Sequence, residues 1–159
     1  MIAVFALAAV QGLPPQFWDI PACPNDVGMR RIGLALSLQV PKRAKVRRRG
    51  DVDFQCETIQ VPGTAAWIAA CHGPNYTHGD PSRLRKSALR TDDRLIRWPN
   101  MPSDWVFDFG PRDVKGVAQS GSRWRYIGMV GASIQYEGLD DAAAARADAI
   151  MDTVCWANP

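Results

Sequence analysis

The chain has 159 residues, of which 47% are hydrophobic and six are tryptophan; this suits one folded domain and argues against intrinsic disorder. No apolar run reaches about 18 residues, so the sequence predicts no transmembrane helix. The net charge is +3, but residues 1–98 carry 14 basic and 8 acidic side chains, whereas residues 99–159 carry 5 and 8. The positive charge is therefore concentrated in the first part of the chain.

The first twelve residues have the pattern of an export signal. Residues 1–10 are an Ala-rich apolar run, followed by Gln11 and Gly12. Such a run before small residues is typical of a secretory signal, although no Lys or Arg precedes it. We interpret residues 1–12 as a signal remnant and residues 13–159 as a single domain, which makes the protein secreted or periplasmic. The alternative is that the apolar run is a first buried strand.

A strand and a basic connection follow. Leu34, Leu36 and Leu38 alternate with other residues, which is the period of a half-buried strand. The connection at 42–49 contains six cations, namely Lys42, Arg43, Lys45, Arg47, Arg48 and Arg49. This charge density predicts a patch that binds an anionic surface or a protein partner; the alternative is a solvated loop. Nucleic acid is disfavoured because the nearest aromatic residue, Phe54, is expected in the core.

The segments 52–61 and 65–72 are predicted to form a β-hairpin. A two-residue loop, Gly63-Thr64, suits a type II′ turn in which glycine supplies the positive φ. In that register, the numbers of facing residues sum to 127. Cys56 then faces Cys71 at a separation that a disulfide can span.

The remaining cysteines, Cys23 and Cys155, form the second predicted disulfide. That bond would tie the N-terminal arm to the end of the chain. Two disulfides indicate an oxidising compartment, in agreement with the predicted export.

The only two histidines are close together in the sequence and suggest a metal site. His72, His78 and Asp80 could hold Zn²⁺ and leave one position open for water. In the hairpin register, Glu57 lies diagonally beside His72, as a fourth ligand or a general base. The spacing matches no zinc motif, however, and the favoured interpretation is two surface-loop histidines without a cofactor.

The last part of the chain is predicted to combine strands with a closing helix. Leu84, Ala88, Thr91 and Leu95 have helical spacing, so residues 82–97 are predicted to be a short basic helix. Four later segments have the pattern of strands in an antiparallel meander, namely 105–109, 114–119, 124–127 and 132–136. A helix capped by Asp140 or Asp141 follows. Its apolar stripe comprises Ala143, Ala147, Ile150, Met151, Val154 and Cys155.

These elements predict an α+β fold. It has an antiparallel sheet of about six to seven strands, a C-terminal helix packed on one face, and room for one short basic helix. The favoured function is a non-catalytic binding or interaction module with a basic face. One alternative is a small metal-dependent hydrolase that uses His72, His78 and Asp80. Another is an inhibitor-like or structural envelope protein that blocks a partner with the loop at 73–81. Neither the oligomeric state nor the identity of the partner is indicated by the sequence.

Overall fold

The computed structural model describes residues 16–24, 29–32, 36–50, 53–73, 85–86, 88–98, 101, 112–129 and 131–157. These residues form eleven strands and one C-terminal helix, α1 (Asp141–Met151). The strands are, in chain order, β1 (Gln16–Asp19), β2 (Met29–Ile32), β3 (Leu36–Gln39), β4 (Val46–Gly50), β5 (Gln55–Gln60), β6 (Trp67–His72), β7 (Ala88–Arg97), β8 (Arg112–Ala118), β9 (Arg123–Met129), β10 (Ala132–Leu139) and β11 (Cys155–Trp156).

Eight of these strands form one sheet, in the order β1-β7-β8-β9-β10-β6-β5-β4. Neighbouring strands are antiparallel except for β1 and β7, which run parallel. A second, three-stranded sheet has the order β11-β3-β2. The protein is therefore mostly β rather than a balanced α+β fold, and it has more strands than the six to seven predicted. Strands of two to four residues, such as β1, β2 and β11, are too short for their alternation to stand out in a sequence.

The meander and the C-terminal helix are confirmed. Strands β8, β9 and β10 pair in succession, with Ser120, Gly121 and Ser122 in the first turn. Asp140 caps α1 by accepting a hydrogen bond from the Ala143 amide at 2.7 Å. The strand predicted at 105–109 lies outside the described residues.

The helix is shorter than its apolar stripe predicted. It ends at Met151, so Val154 and Cys155 lie beyond it. Cys155 pairs with Ser37 of β3, and its sulfur bonds to Cys23. The local pattern predicted that the helix would continue to Cys155. Backbone pairing with β3, more than a hundred residues away in the sequence, makes this segment an extended strand instead.

Two basic segments are strands, which corrects the prediction for each of them. Residues 88–97 form β7 rather than a helix, because its side chains pair across the sheet with β8: Arg94 donates to Asp113 at 2.7 Å and Arg112 donates to Asp93 at 2.9 Å. Residues 46–50 form β4, so only 42–45 remain as a connection. In both cases a neighbouring strand overrides the local pattern.

The hairpin of β5 and β6 has the predicted register, with Cys56 opposite Cys71. The turn differs from the prediction. The Thr64 amide donates to the Val61 carbonyl at 3.2 Å, and Gly63 has φ +73°. This pattern fits a type II turn centred on Pro62 and Gly63 rather than a type II′ turn on Gly63-Thr64. Proline fixes φ at the first central position, and glycine supplies the positive φ at the second.

The structure contains two disulfides, Cys56–Cys71 and Cys23–Cys155. This is the pairing that the hairpin register predicted, and it fits an oxidising compartment outside the cytoplasm. The Cys23 amide also donates to the Trp156 carbonyl at 2.8 Å, which fastens the N-terminal arm beside β11. Within the described part of the chain, no helix is long and apolar enough to cross a membrane.

The main core lies between the large sheet and the elements that cover one of its faces, here called the helix face. Helix α1 and strand β3 pack there, together with Ile20. The residues of this core include Ile59, Ile68, Ile127 and Ile134 of the sheet, Leu36 and Leu38 of β3, and Ala147, Ile150 and Met151 of α1. The opposite face carries Cys56 and Cys71 and is called the disulfide face. Because side chains alternate along a strand, each position of the sheet belongs to one of these two faces.

Candidate functional site

The six cations of the predicted patch occupy one edge of the large sheet. Strand β4 is the last strand of that sheet among the described residues. Lys42 and Arg43 lie in the turn before it, and Lys45 directly precedes its first residue. All six side chains are exposed. We call this surface the basic edge, defined by Lys42, Arg43, Lys45, Arg47, Arg48 and Arg49.

The register of β4 sorts these cations by face. Arg47 faces Thr58 and Arg49 faces Cys56, so both point to the disulfide face. The Gln60 amide donates to the Lys45 carbonyl at 2.8 Å, which extends the same register by one residue. Lys45, Arg47 and Arg49 therefore form one row of positive charge on the disulfide face.

Arg48 points to the helix face and has an acidic partner. Its Nη2 lies 2.7 Å from Oε1 of Glu57, a residue that is nearly buried. A nearly buried carboxylate needs such a partner because desolvation disfavours its charge. Arg48 is thus largely a structural cation, whereas the described residues offer no ion pair to Lys45, Arg47 or Arg49.

An aromatic ring supports the row. The Arg47 guanidinium lies over the Trp67 ring, 4.8 Å from its centroid. Stacking on an indole holds an arginine in one orientation without neutralising its charge. Phe54, which was expected in the core, is instead 38% exposed near the end of β4. The basic edge therefore has two aromatic neighbours, and the expectation that Phe54 lies in the core was wrong.

The end of the basic edge is shaped by a glycine. A Cβ atom on Gly50 would lie 2.4 Å from the Phe54 carbonyl oxygen. Real Cβ atoms do not approach so closely, so this approach of the Phe54 carbonyl to β4 requires glycine at position 50. Gly50 is the last residue of β4, and the row of cations ends one residue earlier.

The predicted metal site is only partly covered by the structure. His72 ends β6 opposite Gln55, and Glu57 lies diagonally beside it on the helix face, as the register predicted. Glu57 is occupied by Arg48. His78 and Asp80 lie outside the described residues, as does most of the loop at 73–81. Among the residues that the structure describes, no group of three or more candidate ligands comes together.

A buried charge network was missed by the sequence analysis. Arg125 is 1% exposed, and it donates to both carboxylate oxygens of Asp113 at 2.9 and 3.0 Å. It also donates to Asp148 at 3.1 Å and to Asp152 at 2.7 Å, which joins the sheet to α1. The signal available in the sequence was an arginine in the middle of an apolar strand, between Trp124 and Tyr126.

An aromatic ring closes the network on the side of β1. The centroid of the Trp18 ring lies 4.3 Å from the guanidinium group of Arg94 and 5.6 Å from that of Arg125. Burial alone would lower the pKa of Arg125, but the hydrogen bonds and charges of Asp113 and then Asp152 raise it above its ordinary value. The arginine therefore stays charged, and the network is a fixed structural element.

A groove of about 630 Å³ lies between α1 and strands β7 to β9. Its charged lining consists of Arg90, Lys115 and Arg123 with Asp92, Asp141 and Asp148. Arg123 donates to Asp141 at 2.6 Å, and this contact lowers the pKa of Asp141. Because the groove carries three cations and three anions, its net charge does not select for an anionic or a cationic ligand.

Tyr136, which lines the same groove, should make stability depend on alkaline pH. Burial raises the pKa of its hydroxyl, which also donates to Asp148 at 3.0 Å. A raised pKa in the folded state stabilises the protein below the unfolded pKa of about 10, and this contribution is lost as the pH rises above it. The unfolding free energy should then fall by up to about 1.4 kcal/mol per pH unit from this one group.

The variant Tyr136→Phe should remove that slope. At neutral pH it should cost about 1 kcal/mol, because one hydrogen bond is lost. Urea unfolding of both proteins between about pH 9 and pH 11 measures the difference. Equal slopes for the two proteins would contradict this assignment of the alkaline sensitivity.

Comparison with protein families, with curated proteins and with solved structures finds nothing that matches this chain.

Proposed function

We propose that the protein is a non-catalytic binding module that holds an anionic partner at its basic edge. The observation that carries this proposal is the row of Lys45, Arg47 and Arg49. These three cations are exposed, lie on one face of an edge strand, and form no ion pair with the described residues. Lys42 and Arg43 extend the positive surface into the preceding turn.

The arrangement favours binding over a purely solvating role for the charge. Arg47 is stacked on Trp67, and β4 is held by its full ladder with β5. Cations on a rigid strand lose less conformational freedom on binding than cations on a loop. In an oxidising compartment outside the cytoplasm, acidic envelope surfaces and acidic proteins are the available partners.

Neutralising the row should weaken binding to anionic probes. The variant Lys45→Gln/Arg47→Gln/Arg49→Gln should bind both polyglutamate and vesicles rich in phosphatidylglycerol about tenfold more weakly at low salt, because three exposed ion pairs are lost. Affinity of the unchanged protein should fall as salt rises, since salt screens exposed charges. Sedimentation with vesicles and biolayer interferometry with immobilised polyglutamate measure these effects.

The control variant carries the same change of charge elsewhere. Lys86→Gln/Arg90→Gln/Lys115→Gln also removes three exposed cations that form no direct ion pair with a described residue, and it should retain binding to within about twofold. If the unchanged protein binds neither probe at low salt, or if both triple variants weaken binding equally, the proposal is wrong.

A further inference from the structure

We infer that the partner of the basic edge is an extended acidic segment of a protein, which adds to the large sheet as a further strand beside β4. This inference rests on the proposed function and specifies the partner's chemistry and conformation. It predicts acidic residues at every second position of that segment. Three features of β4 support it: its outward backbone groups, which no other described strand binds, the spacing of its cations, and the residues on its helix face.

The pairing of β4 with β5 determines which of its backbone groups point outward, to the side where no other described strand lies. The Gln60 amide donates to the Lys45 carbonyl, so Lys45 and Gln60 form a hydrogen-bonded pair. Such pairs alternate along an antiparallel ladder, which directs the amides and carbonyls of Arg47 and Arg49 toward β5 as well. The amides and carbonyls of Val46, Arg48 and Gly50 therefore point away from β5. They are the groups to which an added strand would bond.

The cations have the spacing that an added strand can match. Residues two apart in a strand are separated by about 7 Å along its axis, so Lys45, Arg47 and Arg49 span about 14 Å on the disulfide face. A neighbouring strand places its own alternate side chains at the same interval. Glutamate or aspartate at positions i, i+2 and i+4 would then lie opposite or diagonal to the three cations.

On the helix face, the partner segment is expected to carry uncharged residues. Arg48 is already paired with Glu57, and Val46 packs half-buried against the core. The intervening residues of the partner would cover Val46 and would need no charge. The expected pattern is therefore acidic residues alternating with β-branched ones such as threonine and valine, which also favour an extended conformation.

A second copy of this chain fits the edge poorly. Two β4 strands side by side would set cations against cations, and like charges directly opposite each other destabilise a strand pair. The same cations thus disfavour self-association and favour an acidic strand from another protein. A lipid surface would satisfy the charges but would not use the outward amides of Val46, Arg48 and Gly50.

Two peptides of identical composition test the inference. In one peptide of about nine residues, glutamate alternates with threonine and valine; in the other, the same glutamates are contiguous. The alternating peptide should bind about tenfold more tightly at low salt, because only it can place its carboxylates on one face of an added strand. Isothermal titration with the full chain, disulfides intact, gives both affinities.

Backbone substitutions separate strand addition from charge attraction. N-methylation of the alternating peptide at residues whose amides would face β4 should abolish its advantage, whereas N-methylation at the intervening residues should leave it within about twofold. On the protein, Arg48→Pro removes an outward amide, and edge strands tolerate proline at such positions. Arg48→Ala is its matched control because it loses the same side chain and keeps the amide. Arg48→Pro should bind the alternating peptide at least about fivefold more weakly than Arg48→Ala.

The outcomes distinguish this inference from the proposed function. Preference for the alternating peptide, together with sensitivity to the facing N-methyl groups, supports strand addition even if Arg48→Pro does not fold. Equal binding of both peptides, or indifference to N-methylation, overturns the inference and leaves a charge-based binding module. Binding to anionic vesicles without binding to either peptide also overturns it, in favour of a lipid surface. Binding to none of these probes overturns the proposed function as well.

Discussion

Replacing Asp113 with alanine should lower the unfolding free energy by about 3–5 kcal/mol, the range for breaking a buried ion pair. Asp113 accepts two hydrogen bonds from Arg125 and one from Arg94, and the side chains of Asp113 and Arg125 are each only 1% exposed. Without this carboxylate, Arg125 would remain buried between the sheet and α1 with its Nε donor unsatisfied. Urea unfolding at neutral pH with both disulfides intact measures the loss.

A double variant tests whether that loss of stability comes from the buried charge of Arg125, which Asp113→Ala leaves without its main partner. Asp113→Leu/Arg125→Met replaces both buried ions with apolar side chains, while Arg94, Asp148 and Asp152 keep access to water. It should be more stable than Asp113→Ala, because no buried charge is left without its partner. Asp19→Ala is the control for an exposed ion pair and should cost less than about 1 kcal/mol. If Asp113→Ala is no worse than Asp19→Ala, the network does not stabilise the fold as argued.

Removal of the Cys23–Cys155 disulfide should be the second large effect. The two cysteines are 132 residues apart in the sequence, against 15 for Cys56 and Cys71. In the chain-entropy model, the longer loop corresponds to a loss of about 4–5 kcal/mol and the shorter one to about 3 kcal/mol. Cys23→Ala/Cys155→Ala should therefore unfold at a lower urea concentration than Cys56→Ala/Cys71→Ala.

The disulfide comparison has a built-in control because both double variants remove two cysteines and keep the other bridge. The first variant should also loosen the segment beside β11, where the Cys23 amide donates to Trp156 and the Trp156 amide donates to Pro21. Hydrogen exchange of these amides should then increase. Equal stability of the two variants, or the reverse order, would contradict the entropic argument.

The features that the sequence predicted correctly depend on residues that are close together in the sequence. The register of β5 and β6 follows from a short turn and the two-residue period, and it brought Cys56 opposite Cys71. The cap of α1 at Asp140 depends on a contact three residues away. The turn itself was assigned one residue too late, because Pro62 and Gly63 together suit a type II turn and the loop therefore has four residues instead of two.

Strands β4 and β7 were not predicted as strands because their own sequence patterns do not indicate a strand. Their extended conformation depends on pairing with neighbouring strands. A basic run can be a loop, a helix face or an edge strand; β4 is extended because β5 pairs with it. The spacing of Leu84, Ala88, Thr91 and Leu95 suited a helix over 82–97. Strand β7 nevertheless lies between β8 and β1 and forms ion pairs with β8. Parallel pairing with β1 joins segments 78 residues apart, which no local pattern reveals.

The basic edge also has some features that follow from the sequence and others that follow only from the tertiary structure. The sequence by itself determined which six cations form the patch, because charge density is a local property. Only the tertiary structure decided that β4 lies at an edge, that three cations share one face, and that Arg48 is occupied by Glu57. It likewise decided that Arg125 is buried among carboxylates from β8 and α1. The physical reason is that burial, strand order and the facing of side chains depend on contacts between residues far apart in the chain, whereas composition and turn chemistry do not.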